Sequence, residues 1–351
     1  MPELPDWAAV SRRLRGMRHR FLEGAIVLWT ILTVPLAVFM ALNTDRAWVL
    51  VACIGGPVAF LVRRRPAASG AVLIAATVVL RLSFLGLTHS DPIEVSNLAA
   101  QRALSGQNPY GVTYAGGPYP YGPLGLLSYL AGIPGEVIGA VATSVILVWA
   151  RAWLTLAIFN GWPQFIYMPI IGNNDFSVGF LTLLALVLLL RRPIAGMALL
   201  ALSIAIKPYS AAWALPAAIY AGWGGVAVAL VVSLIAWSPV LFVWGIGSFV
   251  RSSVAAEALR GSLSAVPSWS FADVPILRLL AIPASLAALV FRSWRGVVLS
   301  GALAFVVFLG FAPRAPQPYL GFLVPILGIA LESRLADQHR AEGERAGDVE
   351  D

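Results

Sequence analysis

Long apolar runs separated by short polar gaps dominate the chain. Runs at 22–42, 47–62, 69–88, 137–159, 225–244, 275–291, 296–312 and 319–331 are full-length candidates against the roughly 17–25 residues that a helix needs to cross a hydrocarbon core, the last two or three being short. Between 160 and 222 the pattern changes. There the runs Trp162–Ile171, Phe176–Leu190, Ile194–Ile206 and Tyr209–Ala221 are shorter and are punctuated by Pro163, Pro169, Pro193 and Pro208. Short, proline-broken membrane helices surround a cavity, because backbone groups freed by a break must be satisfied away from lipid. The pattern therefore predicts an all-α, polytopic integral membrane helical bundle of about twelve crossings, some of them short and broken.

Polar stretches divide the chain further. A basic tail (1–21) precedes a single transmembrane domain (22–331), and a charged tail (332–351) follows it. Two long polar segments, 88–123 and 245–274, interrupt the domain. In the first, the spacing of Ile93, Leu98 and Ala100 predicts a short amphipathic helix from Pro92 to Leu104 lying on the surface, opened by Asp91 as N-cap with Pro92 as its first residue.

Composition narrows the class. Hydrophobic residues make up 59% of the 351 and charged ones only 12%, against about 25% charged in soluble domains, which excludes a water-soluble globular protein. Twelve Trp, 24 Pro and 32 Gly suit broken helices better than the alternating strands of an outer-membrane barrel. The single cysteine, Cys53, lies in an apolar run, so an intramolecular disulfide and a cysteine metal site are both excluded.

A net charge of +7 would suit a nucleic-acid partner, but its distribution is topological and no nucleic acid is expected. Arg12, Arg13, Arg15, Arg18 and Arg20 precede the first run; Arg63, Arg64 and Arg65, then Arg191 and Arg192, then Arg292 and Arg295 fill short later gaps. Positive-inside logic places these on the cytoplasmic face of a plasma membrane, with both termini cytoplasmic and the first run an uncleaved anchor. The acids between 24 and 331, namely Asp45, Asp91, Glu94, Glu136, Asp175, Glu257 and Asp273, then all fall on the extracytoplasmic side. There is no Walker or dinucleotide glycine motif, no helical metal-ligand pair and no internal repeat, so neither a cofactor nor a metal is expected.

Several residues stand out chemically. Asp91 begins just beyond the membrane, with Glu94 one helical turn on. Lys207 is the only lysine beside 23 arginines, and an intramembrane ionisable group is a functional candidate by default, though a lysine near a helix end also snorkels to the interface. Arg81 and Arg151 lie inside apolar runs and are expected to pair with acids or carbonyls. Tyr110, Tyr114, Tyr119 and Tyr121 offer flat faces and hydroxyls suited to sugar rings, or alternatively an interfacial aromatic belt. Asn173, Asn174 and Asp175 sit at the mouth of a short helix, as sugar-binding groups or as a simple cap.

The order Asp91, Gly106-x-Asn108-Pro109-Tyr110, Tyr119-x-Tyr121-x-Pro123 resembles the first extracytoplasmic loop of GT-C glycosyltransferases, in particular the polyprenyl-phosphate-mannose-dependent mannosyltransferase branch. Gly172-Asn173-Asn174-Asp175-Phe176 is similar to that branch's Gly-Gln-x-Asn segment, and Ala195-Gly196 followed by Ile204-Ala-Ile-Lys207-Pro208 to its helix break. The resemblance covers about residues 75–222. Two runs precede the usual first span, Gly-Asn replaces Gly-Gln, and the late loop from Pro313 to Tyr319 carries none of the histidines of some members.

The resemblance implies a GT-C fold and transfer of a sugar, mannose by the family's pattern, from a polyprenyl-phosphate donor to a lipid or cell-envelope glycan acceptor, with inversion. It implies Asp91 as general base. In such an enzyme Glu94, one helical turn on, is a back-up, and Lys207, Arg314 and Arg251 are candidate cations for the donor phosphate, with Arg278 a further one; Tyr110, Tyr119, Tyr121, Asn173, Asn174 and Asp175 are the candidates for sugar or acceptor. The other reading is a transporter or flippase of a lipid-linked or small anionic solute, for which broken helices and buried cations are equally natural; the one-sided acids and the lack of a repeat weigh against it. A non-catalytic scaffold leaves the tyrosine-rich loop unexplained.

Overall fold

The computed structural model describes residues 7–87, 91–128, 132–172, 175–262, 268–313, 315 and 318–332. In chain order they form α1 (Trp7–Asn43), a 3-10 segment (Ala47–Ile54) leading into α2 (Gly55–Leu61), α3 (Pro66–Leu82) and α4 (Asp91–Leu104). A two-residue hairpin, β1 (Thr113–Tyr114) and β2 (Gly117–Pro118), precedes α5 (Gly125–Ser128), α6 (Gly132–Ala150), α7 (Trp153–Gly161) and α8 (Pro163–Tyr167). Then come α9 (Phe176–Arg191), α10 (Pro193–Ile206), a 3-10 turn (Pro208–Trp213), α11 (Ala214–Ser238), a π-helical turn (Pro239–Trp244) and α12 (Ile246–Ser262). A partly 3-10 stretch (275–289) that includes α13 (Ala281–Leu286), then α14 (Trp294–Gly310) and α15 (Pro318–Leu331), complete the bundle.

Three helical stretches, Arg20–Asn43, Ile133–Ala150 and Pro208–Trp244, are long and apolar enough to cross a membrane, and shorter apolar helices of 10–17 residues pack with them. Large apolar side chains such as Phe39, Leu42, Trp223, Ile235 and Phe242 cover the outside. An apolar exterior around a packed helical core is that of a membrane-associated bundle. Inside, Trp29, Trp213 and Trp294 are buried, and each indole N–H finds an acceptor: Thr77 Oγ1 at 3.1 Å, the Val298 carbonyl at 3.1 Å and the Leu186 carbonyl at 2.6 Å. Those bonds make the large rings affordable in an apolar core.

Several boundaries differ from the run pattern for identifiable reasons. The run 137–159 is two helices. Arg151 adopts φ +59°, and the N–H groups of Arg151 and Ala152 bond back to the Val148 and Leu147 carbonyls, a Schellman ending to α6 built without glycine. No proline or glycine announces it. The basic segment expected as a tail is helical from Trp7 and continuous with the first apolar run. The stretch Pro208–Trp244 would be roughly 55 Å long as one straight helix, but its backbone leaves helical geometry at Gly222 (φ +69°), where the separation of two runs was expected. Of the 332–351 tail only Glu332 is described; its carboxylate accepts the Leu154 and Thr155 N–H groups and so caps α7.

The polar segments fold into a second, smaller core. Val95, Ala99 and Ala100 of α4 pack with Tyr110, Tyr119, Leu126 and Val240, surrounded by Tyr121, Trp237, Trp244 and Phe249. Helix α4 is therefore amphipathic as expected, but it is no free surface helix. Its buried face is centred on Val95 and Ala99, because the residues from 105 to 126 fold underneath it and α12, within the expected loop 245–274, closes the far side.

Candidate functional site

Two helices end in broken turns at the same end of the bundle, and the segment 105–125 satisfies both. At the first break, Pro208 cannot continue α10, which frees carbonyls near its end. The N–H groups of Gly122 and Leu124 donate to the Ile206 and Ala205 carbonyls at 3.0 Å each. This contact is so close that a Cβ on Gly122 would lie 2.1 Å from the Ala205 carbonyl oxygen, so position 122 admits only glycine. At the second break, the π turn ending at Trp244 leaves its carbonyl to the Asn108 side-chain amide at 2.7 Å. Asn108 Oδ1 accepts the Tyr110 N–H at 2.9 Å, Arg102 Nε donates to the Asn108 carbonyl at 2.8 Å, and Ser252 Oγ takes the Gly111 N–H at 2.7 Å. The Gly106–Tyr110 and Tyr119–Pro123 blocks are thus the two clamps that fasten the loop to the helix ends.

Lys207 lies inside the first clamp. It is 1% exposed, and its ammonium donates to Asp175 Oδ1 at 2.5 Å while lying 5.0 Å and 5.2 Å from the ring centres of Tyr121 and Tyr209. The carboxylate and two π faces compensate a charge that could not otherwise be buried. Asp175 stands just ahead of α9, whose first N–H groups, those of Phe176 and Ser177, donate to Glu136 Oε2 at 3.0 and 3.1 Å, with the Ser177 hydroxyl on Oε1. Glu136 is buried and acts as the anionic cap of α9 from a neighbouring helix. Gly172, at φ +86°, turns the chain into this corner, and Ile93 in the first turn of α4 fills the space where a Cβ would stand, at 2.8 Å. Residues far apart in sequence, at 93, 121, 172, 175 and 207, therefore meet.

The expected site residues separate accordingly. Asp91 is the first residue of α4, and Glu94 is exposed one turn on. Tyr110 and Tyr119 are 2% and 0% exposed and belong to the smaller core rather than to an open sugar-facing wall; burial, together with neighbouring phenols, pushes both hydroxyls above their ordinary pKa of 10. Tyr121 is half-buried, against Lys207. Asp175 and Lys207 neutralise each other instead of facing solvent. Arg251 is exposed on α12, its guanidinium 3.2 Å from Ser248 Oγ, next to the Gly111 turn. Asn173, Asn174 and Arg314 lie outside the described residues.

A cleft of about 260 Å³ opens beside this corner. Pro120 and Pro208–Tyr209 form one wall, Phe249 and Glu257 of α12 a second, and Phe308 and Tyr319 a third. The lining is aromatic and apolar except for Ser253, Glu257 and the tyrosine hydroxyls, of which Tyr209 donates to Tyr319 at 3.3 Å. Arg278 pairs with Glu257 and lies 5.7 Å from the centre of the Phe308 ring. No family model, no curated protein and no solved structure matches this chain. The cleft and its corner are therefore read from their own geometry. A larger cavity of about 610 Å³ lies at the opposite end of α14, lined by Tyr220, Trp223 and Arg292, away from the loop and its clamps.

Sequence reasoning singled out neither Glu136 as a cap nor Tyr209, Tyr319 and Glu257 as walls of a cleft. Glu136 was visible only as one acid among seven, and its partners lie forty residues later. Tyr209 carried a signal, since it follows Lys207-Pro208 directly.

Proposed function

We propose that the chain is a membrane glycosyltransferase of the GT-C type, moving a sugar, mannose by the pattern it resembles, from a polyprenyl-phosphate donor to a lipid or cell-envelope glycan acceptor. The observation that carries this reading is the docking of the 105–125 loop onto the broken end of α10, with an apolar cleft opening at Pro208–Tyr209 and the first turn of α4 packed on Gly172. A polyprenyl phosphate needs an apolar groove ending at a polar corner, and the cleft has that character. In this reading the bundle crosses the plasma membrane about twelve times with both termini cytoplasmic, and the loop faces the extracytoplasmic side, where a lipid-linked donor is accessible and a cytosolic nucleotide sugar is not.

The chemistry is a single inverting displacement. The acceptor oxygen bonds to the anomeric carbon, the bond from that carbon to the phosphate oxygen breaks, the acceptor proton passes to the Asp91 carboxylate, and the phosphate leaves with the electron pair. Glu94, one turn on, stands in reserve on the same helix. Arg251, exposed beside the Gly111 turn, and Arg314 are the cations we assign to the departing phosphate. Because the charge of Lys207 is neutralised by Asp175, we assign this pair to positioning: it holds Tyr121 and the loop against α10. Tyr121 is the aromatic left for the sugar or acceptor. No metal is invoked.

A polyprenyl phosphate carrying a photoreactive group near its phosphate tests the location. Labelling should fall on peptides containing Phe249, Phe308 or Tyr319 and be competed by unlabelled polyprenyl phosphate. Uncompeted labelling spread over the outer helices would contradict the assignment.

A further inference from the structure

Four charged side chains are fully buried among the described residues: Arg81, Glu136, Asp175 and Lys207. Lys207 has Asp175, and Glu136 has the N-terminus of α9. Arg81 alone has no opposite charge in contact among the described residues. It is 0% exposed near the end of α3, and its one hydrogen bond among them runs from Nη2 to Asn160 Oδ1 at 3.3 Å, with the Phe159 ring centre 6.0 Å from the guanidinium carbon. Within the described structure its Nε and Nη1 have no acceptor, and neither has Asn160 Nδ2. The guanidinium can only donate, so the amide turns Oδ1 towards Arg81; Ser144 Oγ, whose proton the Ala140 carbonyl also attracts at 2.8 Å, lies 2.9 Å from the same oxygen.

Among the described residues the surroundings add no negative charge. Thr77 Oγ1 receives the Trp29 indole N–H and shares its one proton between the Leu73 and Asn160 carbonyls, at 2.8 and 3.1 Å, so α1, α3, α6 and α7 meet here through the Thr77 and Ser144 hydroxyls, one amide and one guanidinium. A guanidinium does not escape burial by losing its proton, and an uncompensated charge in such an interior is strongly unfavourable. Unspent N–H donors around a single positive charge, with no acceptor among them, form a complement to an anion.

We propose that Arg81 and Asn160 form a binding site for a small monovalent inorganic anion of the halide class, lodged among Arg81 Nε, Arg81 Nη1 and Asn160 Nδ2. One guanidinium balances one negative charge, so a monovalent ion leaves the interior neutral where a phosphate dianion does not. Arg81, Thr77, Ser144 and Asn160 are all fully buried, which favours a free ion over a lipid headgroup tethered to its chains. The bound ion would tie α1, α3, α6 and α7 together beside Phe159. The site is independent of the glycosyltransferase reading.

The test is thermal unfolding of the full chain, freed of lipid in a neutral detergent, as gluconate is replaced by chloride or bromide at constant ionic strength. Wild type should gain several degrees and follow a saturable curve, while Arg81→Met should lose the response and melt lower than wild type in chloride. Arg81→Lys should keep a response shifted to higher anion concentration. Equal responses in wild type and Arg81→Met would overturn the proposal, as would a flat wild type with an Arg81→Met variant that melts higher, which is the behaviour of a merely unpaired buried charge. If Arg81→Met fails to fold, anomalous diffraction from wild type in bromide decides: a peak beside Arg81 and Asn160 is expected, and its absence sinks the site.

Discussion

At the residue scale the corner depends on one compensated charge. Removing one member of a buried ion pair leaves the other uncompensated and costs about 3–5 kcal/mol. Lys207→Met should therefore lower the melting temperature sharply, and adding Asp175→Asn should recover most of the loss, which a double-mutant cycle of thermal melts checks. Gly122→Ala tests a steric demand, because its Cβ falls 2.1 Å from the Ala205 carbonyl oxygen. The loop should come away from α10, and activity should fall far more than the stability of the bundle. The buried tyrosines set a pH limit. The Tyr110 and Tyr119 phenols are raised in the folded protein, so above about pH 10 the unfolded chain ionises them first. Their contribution to stability is present below that pH and fades as pH rises through it. Ultraviolet absorbance of tyrosinate should accordingly show these two titrating only with unfolding.

At the element scale, the motif blocks work as clamps on broken helices. Asn108 holds the Trp244 carbonyl and the Tyr110 N–H at once, so Asn108→Ala leaves both unpaired, at about 1–3 kcal/mol for each buried group. The hairpin tip at Ala115–Gly116 should become more sensitive to protease while the helical circular dichroism stays unchanged. This arrangement also explains what the chain reveals when read alone. Proline breaks, the run at 225–244 and the amphipathic helix at 92–104 were legible because proline, length and spacing act locally. The end of α6 at Arg151 was not, since a left-handed arginine leaves no compositional trace. The burial of Tyr110 and Tyr119 was not either: whether a tyrosine lines a groove or fills a core depends on what folds beneath it, here Val240 and Phe249 from more than a hundred residues away. Lys207 drew notice as the only lysine, but its partner Asp175 lies on another helix entrance, beyond the reach of any local pattern.

At the scale of the whole molecule, the bundle presents arginine-rich turns at one end and the clamped loop at the other, with helices such as α3 and α14 running between. Sidedness can be read directly. With Cys53 replaced by alanine, a cysteine at Gln107 should react with a membrane-impermeant maleimide on intact cells, and one at Arg64 only after the cells are opened; both positions are exposed. The reverse result would put the cleft on the wrong side for a lipid-linked donor that faces outward. The reading as a transferase is decided by turnover. Purified protein in lipid, given labelled polyprenyl-phosphate sugars and an acceptor extract, should release polyprenyl phosphate and transfer sugar, and Asp91→Asn should fold and melt like wild type while losing transfer by several orders of magnitude. Transfer undiminished in Asp91→Asn would remove Asp91 as the base. No release from any donor, with movement of the lipid-linked solute across the bilayer instead, would contradict the transferase reading and point to a transporter.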